Sequence, residues 1–344
     1  MAQHREPYSD KYFLRAGEIL GADGRDPKVL MQVFCRTQGK LCGIAEVAEL
    51  FAHLDLEPAA RPVLAGLSDG DRFAPWETVL TIEGPYRGFA HLETLLLGVL
   101  ARGSRVATQT SEIVAAAGDR PVLFFGARHD HYLTQETDGY AAITGGAAGV
   151  STDAQGERMG RPGVGTVPHA LIAAYGGDTV LASQKFVEVF GSDVPFVALV
   201  DFDNDCVGTS IKVAQALGAR LQGVRLDTSG SLVDAAFAAE SEAESGVTPA
   251  LVKRVRSALD ARGFEHVDII VSGGLTVARV KRFLAEDAPV DAFGVGSAIL
   301  RNEGRFDFTA DIVRVDGQAV SKVGRAHRPN DRLKRIEFES RAKP

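Results

Sequence analysis

Cysteine is scarce. The 344 residues hold three, Cys35, Cys42 and Cys206, and an odd, widely spaced set provides neither a disulfide framework nor a C-x-x-C zinc pattern. Long apolar runs are missing too, and the opening M-A-Q-H-R-E-P-Y-S-D lacks the apolar stretch of a signal peptide. A cytoplasmic protein with no membrane partner is the expectation. Nor is there an excess of positive charge. A net charge of −7 argues against a general nucleic-acid binder, although a local cationic pocket in an acidic protein can still take an anionic substrate. What is present is the composition of a globular protein, 45% apolar and 24% charged, in a chain long enough for two domains or for one barrel with an appendage.

The first hundred or so residues mix elements. K-V-L-M-Q-V-F-C-R (28–36) and W-E-T-V-L-T-I-E-G-P (76–85) read as strands, I-A-E-V-A-E-L-F (44–51) has helical spacing, and H-L-E-T-L-L-L-G-V-L-A (91–101) is a helix apolar enough to be buried on several sides. From about Arg120 short apolar runs alternate with helices: 122–128, 141–146, 196–202, 221–227, 267–274 and 290–297 read as strands, with S-I-K-V-A-Q-A-L-G-A and T-V-A-R-V-K-R-F-L-A among the helices between them. Strands buried on both faces and separated by helices imply parallel β/α units, and their number favours a barrel. R-V-D-G-Q-A-V-S-K-V-G-R (314–325) reads as a hairpin about a D-G turn. The polar, basic A-H-R-P-N-D-R-L-K-R that follows reads equally well as a solvated end or a functional one.

Active sites of β/α proteins lie at the carboxyl ends of the strands. Here those ends carry Arg128, Asp201, Arg225 with Asp227, the S-G-G of Ser272, Gly273 and Gly274, and the G-V-G-S that holds Gly294, Gly296 and Ser297. Two neighbouring glycine turns can present backbone N–H groups as a phosphate cup; the plainer explanation is tight turns that need positive φ. Asp201 and Asp227 can hold Mg²⁺ through oxygen ligands or stabilise a cationic centre, while Asp203 and Asp205 are assigned to capping or solvation. F-F-G-A-R-H-D-H (124–131) joins an aromatic ring that can stack on a heterocycle to an arginine that can fork a carboxylate; the H-x-H of His129 and His131 is a weak metal signal. In G-T-V-P-H-A-L-I (165–172), Pro168 suits a first helical turn and Thr166 a cap, which leaves His169 at a helix start as a core histidine or a reactive one.

Taken together, Y-F-L-R beginning at Tyr12, M-Q-V-F-C-R, T-I-E-G-P-Y, F-G-A-R-H, G-T-V-P-H-A-L-I, V-R-L-D-T-S-G and I-V-S-G-G-L resemble nicotinate phosphoribosyltransferase, of the type II phosphoribosyltransferases, in its shorter bacterial and archaeal form. The resemblance runs from about Ser9 to Arg325. It implies an irregular β/α barrel over 116–304 with the active site at the strand ends. It also implies an α/β sandwich domain over 1–115 completed by 305–344, and a homodimer with shared active sites.

The implied reaction joins nicotinate to phosphoribosyl pyrophosphate, releasing pyrophosphate, with Mg²⁺ and coupling to ATP hydrolysis. Under the resemblance Phe125 stacks on the pyridine ring, with Tyr12 as a second aromatic from the partner subunit. Arg128 faces the nicotinate carboxylate, and Arg36 faces phosphates across the dimer. Asp201 and Asp227 lie near ribose and metal with Arg225 beside them, Ser272, Gly273, Gly274, Gly294, Gly296 and Ser297 cradle the 5′-phosphate, and ATP phosphorylates His169. A phosphoryl group at a helix start is favoured by the local dipole. Two departures stand out: Asp153 in G-V-S-T-D sits near the place where the related nicotinamide enzyme binds a carboxamide, and the tail lacks the cysteines of a zinc knuckle, so no structural zinc is expected. The same fold acting on nicotinamide or quinolinate, or an inactive relative that binds nucleotides for regulation, are the alternatives. A β/α-barrel aldolase would want a strand-end lysine, and none is found.

Overall fold

The computed structural model describes residues 6–191 and 193–338; residues 1–5 and 339–344, part of the expected sandwich domain, lie outside it. Its strands, in chain order, are β1 (Lys28–Phe34), β2 (Gly39–Lys40), β3 (Val63–Gly66), β4 (Arg72–Phe73), β5 (Thr78–Pro85), β6 (Val122–Phe124), β7 (Gly149–Val150), β8 (Val197–Leu199), β9 (Gly223–Leu226), β10 (Asp268–Val271), β11 (Ala292–Val295), β12 (Thr309–Val315), β13 (Gln318–Ala319) and β14 (Lys334–Ile336). The chain divides into two compact units, residues 1–108 with 302–344, and residues 109–301. No helix among the described residues is long and apolar enough to cross a membrane.

The first unit is built on a six-stranded antiparallel sheet in the order β13-β12-β1-β5-β3-β14. Val29, Met31 and Val33 of β1 pack with Leu80 and Ile82 of β5 and with Phe89, Leu92, Leu96 and Leu100. Between those apolar positions of β1 lies Gln32, 1% exposed. A buried amide needs partners, and the tail supplies them: Gln32 accepts from the Arg328 N–H at 2.9 Å and donates to Ala326 C=O at 3.2 Å. Thr78 donates to Arg328 C=O at 2.7 Å, and β14 pairs with β3. The basic tail is thus a structural part of this unit rather than a solvated end. The expected hairpin is present, turned by Asp316 and Gly317, both at positive φ.

The second unit holds six parallel strands in the order β7-β6-β11-β10-β9-β8. They form a half-barrel: β7 and β8 are its edges and do not pair with each other among the described residues. The helices that alternate with the strands start on side-chain caps. Asp205 accepts from Gly208 N–H, Thr248 from Leu251 N–H and Thr276 from Arg279 N–H, opening Cys206–Leu217, Pro249–Asp260 and Val277–Ala285.

Two expected elements change. A-A-I-T-G-G is not a strand but the end of the helix Gln135–Gly145, closed by Gly146 at φ 111°. Gly145 ends the helix and Gly146 is its left-handed stop, and the strand, β7, follows. The helix expected over 91–101 runs Glu93–Ala117.

Candidate active site

A parallel sheet brings its strand ends to one edge. Along that edge lies a cavity of about 500 Å³ whose walls include Phe125, Arg128, Thr166, Arg225, Asp227, Ser272, Gly273, Gly274, Gly294, Gly296 and Ser297. Phe125 follows β6, its N–H donating to Val295 C=O at 2.8 Å. The ring lies where a side chain on Gly294 would be: a Cβ there would sit 2.5 Å from Phe125 Cε2. Arg225, on β9, places its guanidinium carbon 5.8 Å from the ring centroid, at the outer limit of a cation–π contact. Burial depresses the Arg225 pKa, Asp227 and Asp201 oppose the shift, and Arg128 adds to it. Arg128 is exposed and makes no ion pair among the described residues.

The acidic side of the site is a three-residue cluster. His169 Nε2 stands 3.1 Å from both carboxylate oxygens of Asp201, and ligand atoms of His169, Asp201 and Asp227 lie within 4.8 Å of one another. The Asp201 side chain is 8% exposed and that of His169 47%. Burial raises the Asp201 pKa, contact with His169 partly reverses this, and Asp227 raises it further. Asp227 accepts from the Ser272 hydroxyl at 2.7 Å. The Ser272 N–H is also spoken for, donating to Leu226 C=O at 2.9 Å, so Ser272 orients a carboxylate and has no donor left for a phosphate.

The glycines divide. Gly273 and Gly274 have φ of +91° and +61°, and the N–H groups of Gly274 and Leu275 donate to no protein acceptor among the described residues. Gly294 lies inside β11. Gly296, at φ −117°, caps the short helix Ser297–Leu300, and a Cβ on it would sit 2.5 Å from His129 Cε1. These two positions need space, not positive φ.

Other expectations move. Pro168 is the N-cap of His169–Ala174 rather than its first residue, and it brings no side-chain cap. The Thr166 hydroxyl therefore does not cap the helix. It is buried without a partner among the described residues, as is Arg225 Nε, and both residues line the cavity. Buried donors in that condition call for a bound ligand or an ordered water. Asp153 accepts from Gly163 N–H at 2.8 Å and is not in the cavity wall. His131 caps Leu133 N–H, and His129 and His131 join no metal-ligating group among the described residues. Tyr12 and Arg36 belong to the first unit. Tyr12 is 62% exposed and bonded to Asp10, and Arg36 lies over Trp76 together with Arg325 and Arg328.

Residues 10–104 match the model of the quinolinate phosphoribosyl transferase N-terminal domain, and residues 106–311 that of its C-terminal domain. The chain belongs to this family. A nicotinate phosphoribosyltransferase of Mycobacterium tuberculosis is 30% identical over 296 residues, 81% of this chain and 61% of the relative. That of Bacillus subtilis is 29% identical over 237 residues, 68% of this chain and 45% of the relative. This family member therefore spans less than two thirds of the length of these curated relatives. Among solved structures, nicotinate-nucleotide pyrophosphorylase from Pyrococcus furiosus matches with a TM-score of 0.80 at 37% identity, over 94% of this chain and 79% of that one. Human nicotinic acid phosphoribosyltransferase shares the fold, with a TM-score of 0.68 at 20% identity, over 91% and 75% of the two chains.

Proposed function

We propose that this chain transfers phosphoribose to nicotinate, forming nicotinate mononucleotide and pyrophosphate from nicotinate and phosphoribosyl pyrophosphate, as a step of NAD biosynthesis in the cytoplasm. The supporting observation is that one cavity is lined by an aromatic face, a carboxylate and, among the described residues, a cation without an ion pair and the two acceptor-less amides of Gly274 and Leu275. Phe125 offers its ring to the pyridine, and Arg128 offers its fork to one carboxylate. Quinolinate carries a second carboxylate; the charge of the other cation in the wall, Arg225, is offset by the nearby Asp227 and Asp201, which leaves Arg128 as the cation for a single carboxylate. The relatives from Mycobacterium tuberculosis and Bacillus subtilis are named for nicotinate, whereas the matching family model is named for quinolinate, so the choice of base rests on the cavity wall.

Displacement at ribose C1 builds positive charge on the sugar as pyrophosphate departs. Asp227 and Asp201 stabilise that charge through space, and the pyridine nitrogen attacks with its own lone pair, so no general base is needed. The two carboxylates also form a donor set that suits a hard cation. When bound there, Mg²⁺ supplies charge neutralisation to the leaving group. With Nε2 turned to Asp201, His169 keeps Nδ1 for a phosphoryl group: the Nδ1 lone pair attacks the γ-phosphorus of ATP and ADP leaves. Tyr12 and Arg36 would reach a site from a second copy in a homodimer.

The test is to incubate the chain with phosphoribosyl pyrophosphate and Mg²⁺, supplying nicotinate, nicotinamide or quinolinate in turn, with and without ATP. Mononucleotide from nicotinate, with little from the other bases, is the expected product. Product from none of the bases, with nucleotide still bound, would leave a regulatory relative. His169→Ala should lose ATP stimulation but keep some ATP-independent product; intact coupling in that variant would return His169 to a purely structural partnership with Asp201.

A further inference from the structure

We propose that Arg279 is a positioning residue that shapes the phosphate cup from behind, holding the Gly273–Gly274 turn so that its amides face the 5′-phosphate of the substrate. This rests on the function proposed above. Arg279 Nη1 donates to Gly273 C=O at 2.6 Å and to Gly274 C=O at 3.1 Å, and its Nη2 donates to Val247 C=O at 2.9 Å. The peptide bonds of this turn are trans, so each N–H points opposite the C=O of the preceding residue. Fixing the Gly273 and Gly274 carbonyls on one side therefore turns the Gly274 and Leu275 N–H groups to the other. Gly273, Gly274 and Leu275 line the substrate cavity, whereas Arg279 lines a separate cavity of about 430 Å³.

The local sequence places the guanidinium there. Thr276 caps the helix Val277–Ala285 and accepts from the Arg279 N–H at 3.3 Å. Helical side chains lean toward the N-terminus, so an arginine in the first turn reaches back over the turn that precedes the helix. Successive positive φ values make that turn a backbone without an intrinsic preference to stay put, and three carbonyls from two segments, 273–274 and 247, converge on one planar fork.

Charge adds to geometry. Arg282, three residues on, is neutralised by Glu244 and Glu286. Arg279 has no carboxylate partner among the described residues. Its positive charge polarises the two carbonyls it holds and strengthens as donors the amides on their far side. Lysine cannot reproduce this, because an ammonium lacks the planar fork.

The proposal is tested with Arg279→Met and Arg279→Lys, comparing three ligands: phosphoribosyl pyrophosphate, nicotinate mononucleotide, and nicotinate riboside, which lacks the phosphate. For the methionine variant, the KM for phosphoribosyl pyrophosphate and the Kd for the mononucleotide should rise about tenfold, about 1.4 kcal/mol. Its kcat should stay within about threefold, and its affinity for the riboside should be unchanged. The lysine variant should fall between methionine and wild type, and it carries the same comparison if the methionine variant does not fold. Equal losses for riboside and mononucleotide would overturn the proposal, as would a lysine variant indistinguishable from wild type. Wild-type protein that fails to bind phosphoribosyl pyrophosphate would remove the function and this inference together. Bound substrate with unaffected variants would remove only the inference.

Discussion

The ends of β10 and β11 carry two glycine-rich stretches that look alike on paper, S-G-G and G-V-G-S. The first uses glycine for conformation: Gly273 and Gly274 adopt positive φ and leave two amides without protein acceptors among the described residues. The second uses glycine for space, since Phe125 occupies the place of a Gly294 side chain and His129 that of Gly296. One shapes a hydrogen-bonding surface and the other seats an aromatic ring. Both line the same cavity, so substitutions should separate a phosphate effect from a base effect.

The largest break in that contrast is expected at Gly294. In Gly294→Ala the new methyl would stand 2.5–2.6 Å from Phe125 Cε2 and Cδ2, so the ring must shift. A misplacement of about 1 Å costs on the order of 10²-fold in rate, and kcat/KM for nicotinate should fall by about that factor. The KM for phosphoribosyl pyrophosphate should change little. Overpacking should also lower stability by about 1–3 kcal/mol, read by chemical denaturation. A variant with normal nicotinate kinetics would show that the Phe125 ring is not held where Gly294 leaves room.

A smaller effect is expected at Gly274, and asparagine sharpens the comparison. At φ +61° the backbone is in the left-handed region that asparagine tolerates better than other non-glycine residues. A Cβ there would stand 3.5 Å from Arg279 Nη1, an ordinary contact. Gly274→Asn should raise the KM for phosphoribosyl pyrophosphate about threefold, and Gly274→Ala about tenfold, given a left-handed cost of about 1–2 kcal/mol for an L-residue. Nicotinate KM should be unchanged in both. Identical behaviour of the two variants would mean that conformation is not what glycine supplies at 274.

This contrast marks how far the sequence could be read. Parallel β/α units were legible because short apolar strands buried on both faces differ from amphipathic helices such as Val277–Ala285. Most cavity residues were legible because strand ends are where such a sheet presents side chains. Distances across the sheet were not. Nothing in the text says that Phe125 lies over Gly294, or that the Ser272 hydroxyl turns to Asp227. A-A-I-T-G-G misled because a glycine pair after small apolar residues ends a helix as readily as a strand. The tail could be read as a solvated end or a functional one because its partner, Gln32, lies about 300 residues earlier. Arg279 passed as one cation on an amphipathic helix, although its place five residues after Gly274, in the first turn behind a capping threonine, was a usable signal.

The smallest of these effects tests Ser272, which sits beside the first glycine pair yet serves the carboxylate. Both of its donors are committed, the hydroxyl to Asp227 Oδ1 at 2.7 Å and the N–H to Leu226 C=O. Ser272→Ala keeps the N–H bond and the packing and removes only the hydroxyl. Asp227 then loses one fixed hydrogen bond, and a charge-assisted bond of this kind is worth about 1.5 kcal/mol or more when buried, less where solvent can replace it. The expected result is a kcat lowered about threefold to fivefold, with the KM values for nicotinate and phosphoribosyl pyrophosphate near wild type. A serine that instead donated to the 5′-phosphate would give the opposite pattern, a raised KM for phosphoribosyl pyrophosphate at constant kcat. That outcome would place Ser272 with Gly273 and Gly274 in the cup, and would mean that its hydroxyl leaves Asp227 when substrate binds.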